Sequence, residues 1–278
     1  MLTLGFIGTG NMGSALASAA AKNENNRLLL ANRGKEKAMA LREKIGGEVT
    51  DNCGAAQSDY LFLGVKPQML PDVTPELREA LARENRDTVV VSMAAVTSIA
   101  RLKEMLGEGV PIIRIMPNTP VSIGEGIILY SCSGEVTGEM EQRFLEAMSA
   151  AGRFIRIEER LMDAGACISG CGPAFVDLFI EALADGGVAC GLPRALALEL
   201  AAGTVSGSAK LMLETGKHPA QLKDEVCSPG GTTIQGVRAL EKGGLRSAVM
   251  EAVIAAFNRE ENREHRIGGA PDPYQVVP

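Results

Sequence analysis

The chain has 278 residues, a net charge of −6 and 46% hydrophobic against 4% aromatic residues, which is long for one core and sufficient for two. The charge is spread without a long basic run, which argues against nucleic acid as a partner, and no apolar run reaches the ~18 residues expected of a membrane span. Six cysteines without a C-x-x-C pair and two histidines, His218 and His265, leave no zinc spacing, so no metal is expected and the cysteines read as reduced residues of a cytoplasmic protein.

The chain enters a strand-like run at once, residues 2–7, with no basic residue before Lys22, which is not the pattern of a signal peptide. Gly8-Thr9-Gly10-Asn11-Met12-Gly13 follows, and then the Ala-rich helical stretch Ser14–Ala21. Strand, G-x-G-x-x-G and helix form the context of a dinucleotide site. Gly8 permits the tight turn, Gly10 admits the pyrophosphate, and Gly13 lets the helix pack against the sheet. The second strand, 27–31, ends at Asn32-Arg33, with Lys35 and Lys37 close behind. An acidic residue here would bind a ribose 2′-hydroxyl; an amide and a cation suit a 2′-phosphate instead. NADP(H) is therefore expected in preference to NAD(H).

Further strands are expected at 60–65, 88–92, 111–115, 126–130 and 153–157. These short runs have few polar alternations, which suits strands covered on both faces and so a doubly wound parallel sheet over residues 1–157. Ligands of such sheets bind beyond the carboxyl ends of the strands. Three segments lie there: Val65-Lys66-Pro67, Ser92-Met93-Ala94-Ala95 and Met116-Pro117-Asn118-Thr119-Pro120. Lys66 reads equally as a phosphate ligand or a solvated charge. The Asn118 amide can meet nicotinamide or substrate, or its loop can be no more than a rigid turn.

After residue 160 the strand signal ends, and 158–278 reads as an all-α domain. One helix opens at Pro173 and carries Phe175, Val176, Phe179, Ile180 and Leu183; another runs from Pro193 to Leu213, with Gly203 and Gly207 at i, i+4. Small residues at that spacing let helices approach closely, and a helical domain of this kind suits an intertwined dimer. His218, beside Pro219, reads as structural. The segment from Asp224 to Val237 contains Ser228-Pro229-Gly230-Gly231-Thr232-Thr233 and runs into the periodic Ile234, Val237 and Leu240. Such a helix start presents unpaired N–H groups and a positive dipole end to a small carboxylate, with two threonine hydroxyls in its first turn.

Along essentially its whole length the chain resembles pyrroline-5-carboxylate reductase. The resemblance is carried by GFIGTGNM at the start, the Asn32-Arg33 pair, VKP at 65–67, MPNTP at 116–120, SGCGPAF at 169–175 and, most specifically, DEVCSPGGTTIQGV at 224–237. It implies reduction of 1-pyrroline-5-carboxylate to L-proline by NADPH or NADH, the last step of proline synthesis. It also implies a Rossmann domain followed by a helical dimerisation domain, with dimers assembling into rings such as decamers and the two loops supplied by different chains where that domain is exchanged. By the same resemblance Thr233 lies near the ring nitrogen as the catalytic residue. Ser228, Gly230, Gly231 and Thr232 hold the substrate carboxylate, and Val226 lines the pocket. Gly8, Thr9, Gly10, Asn11, Met12, Asn32, Arg33, Val65, Lys66, Pro67, Ala94 and Asn118 fall on the cofactor side. Two departures stand out. The expected cofactor asparagine is out of register, leaving Asn52 beside Asp51, and the SMAAV segment at 92–96 lacks a glycine common in that loop. A related imine reductase or β-hydroxyacid dehydrogenase is the nearest alternative. Such dehydrogenases use a helix lysine, but Lys210 and Lys223 lack its glycine context.

Overall fold

The computed structural model of the chain describes residues 1–83 and 88–267, the side chains of Arg83 and of 260–267 excepted. The His265 side chain and the end of the expected helical domain at 268–278 fall outside what is described. Two units emerge: residues 1–170 with the chain from Arg259 onward, and Cys171–Asn258. The stretch 158–170, read from the sequence as the start of the helical domain, groups with the first unit.

The first unit is built on one eight-stranded sheet: β1 (Leu2–Ile7), β2 (Asn26–Ala31), β3 (Glu48–Val49), β4 (Tyr60–Leu63), β5 (Val89–Ser92), β6 (Ile112–Met116), β7 (Gly126–Cys132) and β8 (Gly152–Arg156). The spatial order is β3-β2-β1-β4-β5-β6-β7-β8. β1 to β6 pair in parallel, with Phe6 opposite Phe62 and Phe62 opposite Val91. All four residues of β4 and of β5 are buried, as strands covered on both faces require. The chain reverses between β1 and β4, which puts the ligand crevice beyond the carboxyl ends of those two strands.

The expected parallel sheet holds through β6, whereas β7 runs antiparallel to β6 and β8 then lies parallel to β7. The link 117–125 holds only a 3-10 turn at Thr119–Ile123. A parallel crossover needs about a dozen residues or more, so the chain reverses here instead. Among its described residues 1–170 lie seven α-helices: α1 (Asn11–Ala20), α2 (Lys35–Ile45), α3 (Asn52–Ala55), α4 (Leu70–Arg83), α5 (Ile99–Leu106), α6 (Gly138–Ala147) and α7 (Met162–Ser169). On one face Leu16 and Ala17 of α1 and Phe144 of α6 pack with Leu4, Phe6 and Phe62 of the sheet. On the other, Leu77 of α4 and Leu102 of α5 pack with Leu61, Leu63 and Val90. Side chains buried on both faces at this density contribute about 1.5–3 kcal/mol each.

The second unit holds α8 (Gly172–Ala189), α9 (Arg194–Thr215), α10 (Pro219–Glu225), α11 (Thr232–Lys242) and the greater part of α12 (Leu245–Ile267). α8 and α9 form a helical hairpin across Cys190–Pro193. A Cβ at Gly187 would stand 3.3 Å from that of Ala197, so glycine allows their close approach. The fully buried apolar cluster of this unit consists of Ala184, Ala197 and Ala201. Leu178 (65% exposed), Leu213 (62%) and Met250 (59%) face outward. By length and composition the stretches Glu159–Ala189 and Arg194–Thr215 are apolar enough to cross a membrane, where the sequence reading expected none. The two criteria differ because mean hydropathy over a helix tolerates charges such as Asp177 and Glu181, which break every continuous run.

Candidate cofactor and substrate loops

The glycine loop between β1 and α1 has a separate physical requirement at each glycine. Gly8 has φ +94°, and a Cβ there would lie 2.6 Å from the Gly64 carbonyl oxygen just beyond β4. At Gly13 a Cβ would lie 2.1 Å from the Gly8 carbonyl oxygen, so only glycine lets α1 sit against the loop. Around Gly10 a Cβ would meet nothing within 4 Å. That open side faces the start of α1, which has no capping side chain and no acidic residue in its first turn. Its first N–H groups and the positive end of its dipole are therefore free for an anion. Thr9 is buried, and its hydroxyl has no hydrogen-bond partner among the described residues. An open glycine, an uncapped helix start and an orphaned hydroxyl fit a dinucleotide pyrophosphate. Gly64, which closes the loop from β4, is a member of this cradle that sequence reasoning missed. Its signal was a glycine directly after a strand in Tyr60–Val65.

The other cofactor-side residues divide by what their side chains already hold. Asn32 accepts from the Thr9 N–H at 3.1 Å and donates to the Gly34 carbonyl at 2.9 Å. Its amide thus ties the glycine loop to the turn after β2. Arg33 is exposed and forms no ion pair among the described residues. Asn11 is exposed and Met12 half-buried at the start of α1. Val65, Lys66 and Pro67 follow β4; Lys66 is exposed, and Pro67 helps line an apolar cavity of about 200 Å³ with Leu70, Val96 and Met105. Ala94 is buried after β5, its N–H donating to the Ser92 hydroxyl. Asn52 donates to Glu76 Oε1, while Asp51 caps α3 by accepting from the Gly54 N–H. Asn118 is 7% exposed; it donates to the Ser169 carbonyl and accepts from the Ile127 N–H, each at 2.9 Å. These two bonds make the amide a brace for its loop, in keeping with a rigid turn. A larger, polar cavity of about 640 Å³, lined by residues such as Thr3, Asp59, Tyr60 and Arg143, lies at the opposite ends of the strands. It is remote from the ligand crevice that the sheet order defines.

In the second unit, α11 begins at Thr232 with Gly231 as its N-cap, again with no capping side chain and no acid in the first turn. Gly230 has φ +71°, and the Gly231 N–H donates to the Ser228 carbonyl at 3.0 Å, closing the turn. A Cβ on Gly231 would stand 2.4 Å from Ser228 Oγ, so the serine hydroxyl lies against the helix start. Thr232, Thr233, Ser228 and Gly230 are all exposed, as is Val226 at the end of α10. One short loop thereby gathers N–H donors, three hydroxyls and an apolar side chain. His218 caps α10, its Nδ1 accepting from the Ala220 N–H, which bears out its structural reading. The Asp224 carboxylate beside Lys223 raises that lysine above its ordinary range, which disfavours it as a proton acceptor.

A family model described as pyrroline-5-carboxylate reductase dimerisation matches residues 159–263, and one described as NADP oxidoreductase, coenzyme F420-dependent, matches residues 3–96. The chain is 42% identical to the pyrroline-5-carboxylate reductase of Glycine max over 262 residues, covering 92% of this chain and 94% of that one. Among solved structures, the Plasmodium falciparum pyrroline carboxylate reductase with NADP bound matches with a TM-score of 0.83 at 32% identity, covering 95% of this chain and 98% of that one. The pyrroline-5-carboxylate reductase of Coxiella burnetii matches with a TM-score of 0.84 at 34% identity, covering 93% and 96%.

Proposed function

The chain belongs to the pyrroline-5-carboxylate reductase family, and on that premise we propose that it reduces 1-pyrroline-5-carboxylate to L-proline with NADPH in preference to NADH. It is an NAD(P)H-dependent oxidoreductase with a Rossmann-type first domain and a helical dimerisation domain. In the reaction the C=N bond gains a hydride at C2 of the pyrroline ring, the carbon that becomes C5 of proline, and a proton at nitrogen, and oxidised cofactor leaves. The nicotinamide, when bound, supplies that hydride; the chain supplies position. The observation that carries this reading is the uncapped, acid-free start of α11 with its cluster of hydroxyls.

In this reading the N–H groups from Gly230 to Thr232, with Ser228 beside them, bind the substrate carboxylate. Thr233 orients the ring nitrogen by a hydrogen bond, Val226 covers an apolar face of the ring, and the nitrogen takes its proton from solvent. At the first unit, the α1 start with Gly8, Thr9, Gly10, Asn11 and Met12 receives the pyrophosphate. Arg33, fixed by the Asn32 turn, pairs with the 2′-phosphate, and Val65, Lys66, Pro67 and Ala94 border the cofactor through the strand-exit loops. The uncovered apolar faces of α8 and α9 are assigned to a second copy of the chain, giving a cytoplasmic homodimer that can assemble further into a decamer. Support for this comes from the exposed leucines and from the dimerisation model that spans both helices.

The test is to follow NADPH absorbance with pyrroline-5-carboxylate and, separately, with 3-hydroxy-acid and keto-acid pairs. Oxidation with the imine alone is the expected result. Turnover of the hydroxy acids would favour the dehydrogenase reading instead.

A further inference from the structure

One residue of the first unit stands in a conformation its side chain disfavours. Val96, in the loop between β5 and α5, has φ +58°, and it is the only non-glycine with positive φ among the described residues. A β-branched residue there is an outlier, and such strain persists only where the surroundings impose it. Both ends of the loop are held. On the β5 side the Ser92 hydroxyl accepts from the Ala94 N–H at 3.3 Å, and the Thr97 hydroxyl donates back to the Ala95 carbonyl at 3.3 Å. On the α5 side the Ser98 hydroxyl caps the Arg101 N–H. There, too, the Ile99 N–H donates to Glu159 Oε1 at 2.6 Å.

Glu159 is itself pinned from inside the sheet. Arg114, on β6 and 3% exposed, pairs with Glu159 at 3.3 Å and with Asp163 of α7 at 2.8 Å. A buried guanidinium is costly unless carboxylates neutralise it, and truncating one partner is more costly still. Its Nε has no hydrogen-bond partner among the described residues, and the two carboxylates are the ion pairs that compensate it there. A buried cation of this kind is an expensive way to build a core. It is well suited to fixing a carboxylate at one place, here the start of α5. The loop it fixes leaves the second half of the doubly wound sheet at the strands' carboxyl ends, where the nicotinamide half of a dinucleotide lies.

We propose that Glu159 and Arg114 are positioning residues that hold the Met93–Ser98 loop, with Val96 left-handed, in the shape that receives the nicotinamide end of the cofactor. The inference rests on the cofactor reading above. In the intact protein, Glu159→Ala frees the α5 end, and Val96 relaxes toward negative φ. Dissociation constants for NADPH, read by fluorescence titration without imine, then rise about tenfold, the equivalent of one residue's left-handed strain. KM for NADPH rises in step while KM for the imine stays near its original value. Adding Val96→Gly to Glu159→Ala restores NADPH affinity, because glycine adopts positive φ without a clamp. Glu159→Gln, which keeps an acceptor for the Ile99 N–H, gives a smaller rise and serves if the alanine variant fails to fold. Unchanged NADPH affinity in the folded variants, or loss that Val96→Gly does not restore, would overturn the inference and leave the proposed function standing. An unsubstituted chain that bound no NADPH would overturn both.

Discussion

Thr233 is an exposed hydroxyl in the first turn of α11. If it orients the imine nitrogen, Thr233→Ala removes one hydrogen bond in the hydride-transfer step and lowers kcat/KM by roughly 10- to 100-fold. The fold is unaffected, since no hydrogen bond of its hydroxyl among the described residues is lost, and steady-state rates with unchanged thermal stability check this. Arg33 is the matching residue on the cofactor side. Arg33→Ala weakens NADPH by about tenfold or more while leaving NADH nearly untouched, as loss of a charge-assisted bond to a 2′-phosphate requires. Comparing KM for the two cofactors separates that role from a general loss of fold. At this scale chemical type was legible and partnership was not. Asn32 and Asn118 carry the amides that polar recognition uses, yet each also holds a backbone group far away in sequence, Thr9 for the one and Ser169 for the other. Nothing in a linear string reveals that the Asn118 amide spans Ser169 and Ile127. The left-handed Val96 was hidden for the same reason, although the missing glycine in its segment was visible.

Among elements, α1 and α11 share one device in two units: a glycine N-cap, no capping side chain and no acidic first turn. Two substitutions in the first loop separate binding from folding. Gly10→Ala adds a methyl group into open space at φ −75°, so the fold holds while the pyrophosphate loses its approach and NADPH affinity falls. Gly13→Ala drives a methyl group to 2.1 Å from the Gly8 carbonyl and costs about 1–3 kcal/mol of stability. Denaturant unfolding with and without NADPH distinguishes the two; equal stability losses would contradict the assigned roles. The strand–glycine–helix pattern and the strand positions were legible because burial on both faces leaves unbroken apolar runs. The reversal at β7 was not, because direction depends on the length and path of the 117–125 link rather than on strand composition. β3, two residues long at the sheet edge, has too little sequence to signal itself.

For the whole molecule, the two units differ in how they are stabilised. The first buries apolar side chains on both sheet faces, whereas the second encloses chiefly Ala184, Ala197 and Ala201. Burial on that scale is small against the entropy of ordering its helices, which is the physical ground for proposing a second copy of the chain against it. If those faces form the proposed dimer interface, Leu178→Asp with Leu213→Asp, both on exposed positions, leaves the chain's own packing intact and yields a poorly stable monomer in sedimentation velocity. An unchanged sedimentation coefficient would remove those faces from the interface. The central claim concerns one atom's transfer, and isotopic labelling reads it directly. With NADPH dideuterated at C4 of the nicotinamide and pyrroline-5-carboxylate as substrate, the account predicts L-proline carrying one deuterium at C5. Cofactor oxidation without labelled proline, or no reaction with this imine, would contradict it.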